Sequence, residues 1–303
     1  MSSLSISVVI CTYNREAYLK DALNSLLNQD LEDYEIVVVD NASTDNTATI
    51  VKELLGDNPQ LKYVYEPTLG LSVARNTGVK STTGDIVAYL DDDAIAPPQW
   101  LKTLLRVFEN DDQVAIAGGK VDLILPEGFS ELPSWLSDDM AIALGFYDLG
   151  DEVKQIDDAG LTPRGLNYSF RRSFWQEVGG FDVKFDRVGK NLLSNGDLVF
   201  TETAIRRGKK VLYIPAAKVG HNVQPERLTK AWFLRRSWWQ GVSEFYRAKD
   251  KNIKKSQQFF KAWERIARGI YKSFKYYQNP AVRFENVLYA YGQFGYLKHL
   301  ITK

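Results

Sequence analysis

The sequence predicts an α/β fold, a mostly parallel sheet flanked by helices, followed by a helical C-terminal extension. Three observations carry this. Short β-branched runs alternate with helical apolar patterns through roughly the first 120 residues, as expected for parallel strands joined by crossover helices. The early runs have no polar face, which suits strands covered on both sides. Beyond Thr229, strand patterns stop and helical periodicity continues to the C-terminus.

The elements follow in order. Ser5 to Cys11 is apolar on both faces and reads as a central strand. Tyr18, Leu19, Ala22, Leu23, Leu26 and Leu27 recur at three and four residues, one stripe of an amphipathic helix. Glu35 to Asp40 is a second buried strand ending in a carboxylate, and Ser43-Thr44-Asp45 supplies capping oxygens ahead of Ala48, Ile50, Val51, Leu54 and Leu55. Leu61 to Glu66 is a third strand and Leu71 to Val79 a short helix. Asp85 to Leu90 is a strand that runs directly into Asp91-Asp92-Asp93. Pro97-Pro98 opens another helix, and Val114 to Ala117 is a further strand. From about Lys120 the chain becomes loop-rich, with Pro126, Pro133, Gly145, Gly150, Gly160 and Gly165, a composition that shapes a binding site more often than a core. A strand and a helix return between Asn167 and Gly180, Asp197 to Arg207 is helical, and Val211 to Ile214 is a short strand ending at Pro215.

Composition narrows the function classes. With 303 residues, 45% hydrophobic and 25% charged, the chain can bury a sizeable core. The single cysteine, Cys11, excludes an internal disulfide framework and a four-cysteine zinc site, and two histidines exclude a multi-histidine centre. No leader pattern opens the sequence and no run approaches 18 apolar residues, so the expected location is cytoplasmic. The net charge of zero hides a division: residues 230–303 hold 16 Lys+Arg against 4 Asp+Glu, a net of +12, and the preceding residues carry the balancing −12. The same tail holds 18 of the 38 aromatic residues. Basic residues interleaved with aromatics suit an anionic surface, either lipid headgroups on the inner face of the plasma membrane or a phosphorylated acceptor, with nucleic acid as the competing partner. Leu288, Tyr291, Phe294 and Gly295-Tyr296-Leu297, flanked by Lys298 and Lys303, form the expected interfacial face; folding of the tail onto the body is the alternative.

In an open α/β sheet, ligands sit beyond the carboxyl ends of the strands. Three polar clusters follow strands here: Thr12-Tyr13-Asn14-Arg15, Asp40-Asn41-Ala42-Ser43 and Asp91-Asp92-Asp93. Three consecutive aspartates repel one another unless a cation neutralises them, and such hard oxygen ligands suit Mg²⁺ or Mn²⁺ completed by phosphate and water. A polar capping loop before Pro97 is the plainer reading. Asp40 could cap the next helix or accept a hydrogen bond from a nucleotide base or ribose. Arg75, one cation among small residues in Gly70 to Gly78, could snorkel to the surface or aim its guanidinium at a phosphate or at the acidic triplet. There is no Gly-x-Gly-x-x-Gly after the first strand and no phosphate loop of the Gly-Lys-Ser/Thr type, so neither a dinucleotide oxidoreductase nor a P-loop enzyme is supported.

Val8 to Arg15 (VVICTYNR), Glu35 to Thr47 (EIVVVDNASTDNT), Gly70 to Gly78 (GLSVARNTG) and Gly84 to Ala94 (GDIVAYLDDDA) closely resemble the N-terminal signatures of family 2 glycosyltransferases, and Gly165 to Arg172 (GLNYSFRR) with Val178 to Asp182 (VGGFD) resembles the acceptor-side segment of that family. The resemblance covers about residues 5 to 221. It implies a Rossmann-like GT-A fold over 1–229, with a nucleotide-sugar-binding half at 1–119 and an acceptor-side half at 120–229, followed by the basic aromatic extension 230–303. It implies an inverting, metal-dependent transfer of sugar from a nucleoside-diphosphate donor, most simply a UDP-sugar, to the hydroxyl of a saccharide or lipid-linked acceptor in polysaccharide or glycolipid synthesis. Nucleic acid is then not expected as a partner. Asp40 would contact the base with help from Thr12, Tyr13 and Arg15; Arg75, Asp91 and Asp92 would lie about the donor; and Asp93 would hold Mn²⁺ or Mg²⁺ on the diphosphate, with His221 as a further metal or diphosphate contact. Asp197 stands where the family carries a general base, but Gly196 replaces the glutamate usual beside it. Capping of the following helix is the plainer reading of Asp197, and a packed, hydrogen-bonded ring that of His221. Two alternatives of other kinds remain: a non-catalytic nucleotide- or carbohydrate-binding module on the same fold, motivated by Gly196, and a nucleotidyltransferase, which would release pyrophosphate.

Overall fold

Runs of valine and isoleucine without a polar face are satisfied only inside a sheet covered on both sides, and that is where they lie. In the computed structural model, which describes residues 4–185, 187, 191–250 and 254–302, β1 (Ile6–Thr12), β2 (Tyr34–Asp40), β3 (Leu61–Tyr65) and β4 (Ile86–Leu90) form a parallel set in the order β3-β2-β1-β4. Val8, Val9, Ile10, Val37, Val38 and Val39 are wholly buried. The crossovers are α1 (Glu16–Leu27), α2 (Thr47–Leu55) and α3 (Leu71–Ser81). α1 buries Leu19, Ala22, Leu23 and Leu26, the expected stripe.

Beyond β4 the pairing changes sense. After β5 (Ala94–Ile95), α4 (Trp100–Asn110), β6 (Val114–Ile124), α5 (Asp138–Ala141) and β7 (Lys154–Gln155), the chain lays β8 (Asn167–Arg171) antiparallel between β4 and β6. Then α6 (Arg172–Val178) and α7 (Gly196–Arg206) lead to β9 (Lys210–Asn222), which pairs antiparallel with β7 and β5. β9 does not end at Pro215 but continues to Asn222. β7 engages it at Leu212 and Tyr213, and β5 at Gly220 and His221. On that side no ladder hydrogen bond is required of residue 215, so its missing N–H costs nothing there. Arg171 and Arg172 tie the sheet to its surroundings: Arg171 donates to the carbonyls of Val114, Phe108 and Asp111, and Arg172 to those of Gly84 and Val79.

Glu35 fastens the start of β2. Its carboxylate accepts hydrogen bonds from Ser7 and Thr83 and an ion-paired one from Lys62. Burial works to raise its pKa, but these donors outweigh it and hold the group at about 2. A depressed folded-state pKa gives stability that is present above the unfolded value of about 4.3 and is lost as pH falls toward 2. Glu35→Gln is therefore expected to cost about 1–2 kcal/mol near neutral pH, discounted for solvent screening. In urea unfolding at stepped pH, the difference from wild type should close between about pH 4.5 and 2. A difference independent of pH would refute this assignment.

Two compact units divide the chain. Residues 1–123, 145–189 and 196–222 make the first, and residues 124–144, 190–195 and 223–303 the second. The chain thus passes between them several times, where the sequence suggested one boundary near 229. The second unit is built on α8 (Lys230–Asp250), α9 (Lys255–Lys275) and α10 (Pro280–Thr302). α8 and α10 meet through glycine: a Cβ on Gly241 would lie 1.8 Å from the Gly292 carbonyl oxygen. Trp135, from the loop-rich stretch, packs edge-on against Phe233 and Phe284 at 5.6 and 5.4 Å, which is why residues 124–144 group with the helices. The expected interfacial face on the last helix needs correction. Leu288, Tyr296 and Leu297 are buried in the helical core, because α10 packs on both α8 and α9, and only Tyr291 and Phe294 of that set are exposed; Lys303 lies outside the described residues. Among the described residues no helix is long and apolar enough to cross a membrane.

Candidate active site

The parallel strands deliver the predicted residues to one edge. Thr12, the last residue of β1, is the register partner of Asp40, the last residue of β2, and Asp91 follows the last residue of β4. Between the first two clusters the loops are stapled. The Asn14 carboxamide oxygen accepts from the Thr44 N–H, and Asn14 N–H donates to Ser43 Oγ. Asp40 is buried, with one carboxylate oxygen accepting from the Ser43 N–H at 2.9 Å and the other from the Tyr63 hydroxyl at 2.7 Å. The turn it closes holds Ala42 at φ +61°, a conformation an L-residue occupies only at some cost. Asn41 beside it is structural: its side chain donates to the Glu66 and Thr68 carbonyls and accepts from the Gly70 N–H. Tyr13 is exposed on the loop after β1, and Arg15 reaches Asp92 at 3.8 Å.

The acidic triplet is electrostatically frustrated. Burial and the neighbouring Asp93 push the Asp92 carboxyl up to about 8, against the pull of Arg15. Asp91 is raised by the same two causes, while Arg75, His221 and Arg187 pull it down. Asp93 and His221 are both 3% exposed, and Asp93 Oδ1 lies 3.1 Å from His221 Nε2. The antiparallel pairing of β5 with β9 sets this contact, since Ala94 is opposite His221, and Asn222 N–H donates to the Asp93 carbonyl. His221 Nδ1 is buried without a hydrogen-bond partner against Gly145, whose φ of +104° and lack of a Cβ admit the ring; an added Cβ would sit 2.9 Å from that nitrogen.

These features fit a hard divalent cation. Donor atoms on adjacent octahedral vertices about 2.1 Å from Mg²⁺ are about 3 Å apart, which the Asp93–His221 pair matches. Among the described residues no three His, Cys, Asp or Glu side chains gather as a full cage. A cation held by this pair would therefore need phosphate and water to complete its shell.

Arg75 does not snorkel. Its guanidinium is buried, 5.2 Å from the Tyr89 ring centroid and 5.7 Å from that of Phe181. Burial works to lower its pKa, but Asp197 and then Asp91 attract the cation and keep it raised. Arg75 therefore lies between the acidic triplet and Asp197, which is the second residue of α7 and so sits inside its first turn, not at the capping position the plainer reading gave it. Asp197 accepts from the Gly165 N–H at 3.1 Å and from Leu198 N–H. Gly165 lets the groups converge, because a Cβ there would lie 2.3 Å from Arg75 Nη2 and 3.1 Å from Asp197 Oδ2. A Cβ at Gly196 would meet only Ser72 Oγ, at 3.6 Å, so no steric demand explains the glycine there.

One residue the sequence did not single out belongs with these. Arg164 lies over the Tyr147 ring at 5.0 Å; burial lowers its pKa and Asp197 opposes this. Its Nε is buried without a hydrogen-bond partner. Its only signal in the sequence is its place directly before Gly165 in a stretch that otherwise reads as loop.

Known proteins resemble this chain in sequence and in fold. The sequence profile of Glycosyl transferase family 2 matches residues 7–159, and that of Glycosyl transferase family group 2 matches residues 86–302. A glucosyl-dolichyl phosphate glucuronosyltransferase of Haloferax volcanii is 28% identical over 246 residues, 80% of this chain and 76% of the relative. An uncharacterized glycosyltransferase of Nostoc sp. is 38% identical over 37% of this chain, which spans only 35% of that protein's length. In structure, the mannosyltransferase PcManGT from Pyrobaculum calidifontis, in complex with GDP-Man and Mn²⁺, superposes with a TM-score of 0.58 at 20% identity, over 98% of this chain and 74% of that one. S. aureus TarS 1-349 in complex with UDP-GlcNAc gives 0.56 at 20% identity, over 79% and 66%. These structural neighbours share the GT-A fold, and the family match and the glycosyltransferase relatives do not favour the binding-module or nucleotidyltransferase alternatives. With profile matches over half of the chain and more, the protein belongs to glycosyltransferase family 2.

Proposed function

We propose that the chain moves a sugar, with inversion at the anomeric carbon, from a nucleoside-diphosphate donor to the hydroxyl of a saccharide or lipid-linked acceptor, in polysaccharide or glycolipid assembly, with Mn²⁺ or Mg²⁺ bound. A UDP-sugar is the donor favoured. The observation that carries this is the buried Asp93–His221 pair beside two carboxyls that repel it. Asp93 and His221 hold the cation. When bound, it neutralises charge that builds on the departing diphosphate. Asp40, with its orientation fixed by Tyr63 and Ser43, takes the base, and Thr12, Tyr13 and Arg15 flank it. Arg75, Asp91 and Asp92 line the donor, and Asp197 accepts the proton of the attacking hydroxyl. The Haloferax relative is named for a lipid-phosphate-linked acceptor, and the same class of acceptor here would bring the protein to an anionic membrane surface as a peripheral protein in the cytoplasm. The neighbours that hold GDP-Man with Mn²⁺ or UDP-GlcNAc support the donor class.

A panel of sugar nucleotides in a thermal-shift assay tests the reading. Ligand at a hundred times its Kd stabilises by about 2.7 kcal/mol, which raises Tm by about 4 °C in a chain of this size. The expected result is such a rise for at least one nucleoside-diphosphate sugar with Mn²⁺ or Mg²⁺, and a smaller one in chelator. No rise with any donor in either metal would overturn the proposal.

A further inference from the structure

α9 has three faces where a helix on a globular core ordinarily has two. Ala262, Ile266 and Gly269 are buried against the rest of the helical unit, and a Cβ on Gly269 would touch Ala290 of α10 at 2.9 Å. At the α-helical period, Phe259, Phe260, Trp263, Ile270, Tyr271 and Phe274 fall on a second arc of about 120°. They are exposed: Phe260 by 72%, Trp263 by 47%, Tyr271 by 66% and Phe274 by 74%. A third arc beside it carries Lys261, Arg265, Arg268, Lys272 and Lys275. The helix holds six basic residues and one acid, Glu264, which pairs with Arg268 at 2.6 Å. Aromatic side chains exposed in a row are rare on monomeric surfaces and mark an interaction site.

We infer that the aromatic and basic faces of α9 dock in the interface of a bilayer that carries anionic lipid. The charge selects the occupant. A second copy of the chain would bring two strongly basic helices together, whereas an anionic headgroup layer neutralises them. Tryptophan, tyrosine and phenylalanine bordered by lysine and arginine are the side chains that partition at the headgroup boundary. The helix thus lies in the interface plane, with its rings among acyl chains and its cations at the phosphates. This inference rests on the lipid-linked reading of the acceptor only for its purpose, not for its physics.

The test is flotation of the full-length chain with vesicles of neutral phosphatidylcholine, and of phosphatidylcholine with about 30% phosphatidylglycerol to give an anionic surface. Wild type is expected to float with the anionic vesicles, at least tenfold more weakly with the neutral ones, and less in high salt. Phe260→Ser with Phe274→Ser, and separately Lys272→Glu with Lys275→Glu, should each lower partitioning about tenfold or more, while Tm stays within about 2 °C because the altered side chains are exposed. Equal flotation of both variants and wild type, or no preference for anionic lipid, would overturn the inference. So would a wild-type dimer in light scattering that the aromatic variant dissociates, since a second copy then occupies the face. Flotation uses no sugar nucleotide, so loss of donor binding in the thermal-shift panel leaves this result standing, and the reverse also holds.

Discussion

Asp93→Ala is expected to abolish metal-dependent transfer, with kcat/KM down about 10³-fold or more, while the fold survives. The size follows from two losses. On the proposed role the cation would lose one of its two protein ligands, and removing a single preorganised group that stabilises transition-state charge commonly costs 10²–10³ by itself. The second loss is local: His221 Nε2 faces Asp93 at 3.1 Å in a site where both side chains are 3% exposed, so without the carboxylate the ring has no anchor for its orientation. The stability signature has the opposite sign. Asp93 is a principal source of the repulsion that raises Asp91 and Asp92, so its removal should leave the Tm in chelator unchanged or higher. The rise that Mn²⁺ and donor give in wild type should disappear. Steady-state transfer with and without Mn²⁺, paired with thermal shifts in the same buffers, checks both signs. Wild-type kcat/KM in the variant would remove the metal from the mechanism.

The parts of this site that lie on regular strands were legible in the sequence, because burial on both faces imposes runs such as VVVD and IVAYLDDD whose last residue must meet solvent or a ligand. Asp40, Asp91 and Asp93 were found in that way, and Thr12 and Arg15 by following the first strand out of the core. What long-range pairing supplies was not legible. The resemblance already suggests a closing strand from Tyr213 to His221, but nothing local to it says that this strand lies opposite Ala94, which is what sets the imidazole against Asp93. Arg75 was singled out for its chemistry, but its seat between the Tyr89 and Phe181 rings depends on a phenylalanine more than a hundred positions away. Arg164 was missed because periodicity is blind to a loop. The two arginines of GLNYSFRR illustrate the converse: a basic pair in a family signature is engaged in holding backbone carbonyls of neighbouring elements. On the last helix, apolar residues were visible but not which neighbour would claim them, so the expected exposed face went partly into the core and the exposed rings proved to be those of α9.

Asp197→Asn separates chemistry from architecture at the other end of the Arg75 bridge. Asparagine retains an oxygen that can accept from the Gly165 N–H, so Tm should move by less than about 2 °C. What it loses is the negative charge. As a general base, Asp197 would contribute about 10²–10⁴ to the rate, and kcat is expected to fall within that range. Donor affinity should move the other way or not at all. Arg75 and Arg164 are both attracted by Asp197, and with that charge gone their positive field acts more fully on the donor's phosphates. Donor binding measured by calorimetry, set beside kcat from a transfer assay, distinguishes this from a scaffold role. If Asp197 serves only to anchor the Gly165 N–H, the asparagine variant keeps its turnover, whereas Asp197→Ala loses about 1 kcal/mol of stability. Unchanged kcat in the asparagine variant would therefore assign the proton to another acceptor and leave Asp197 as scaffold.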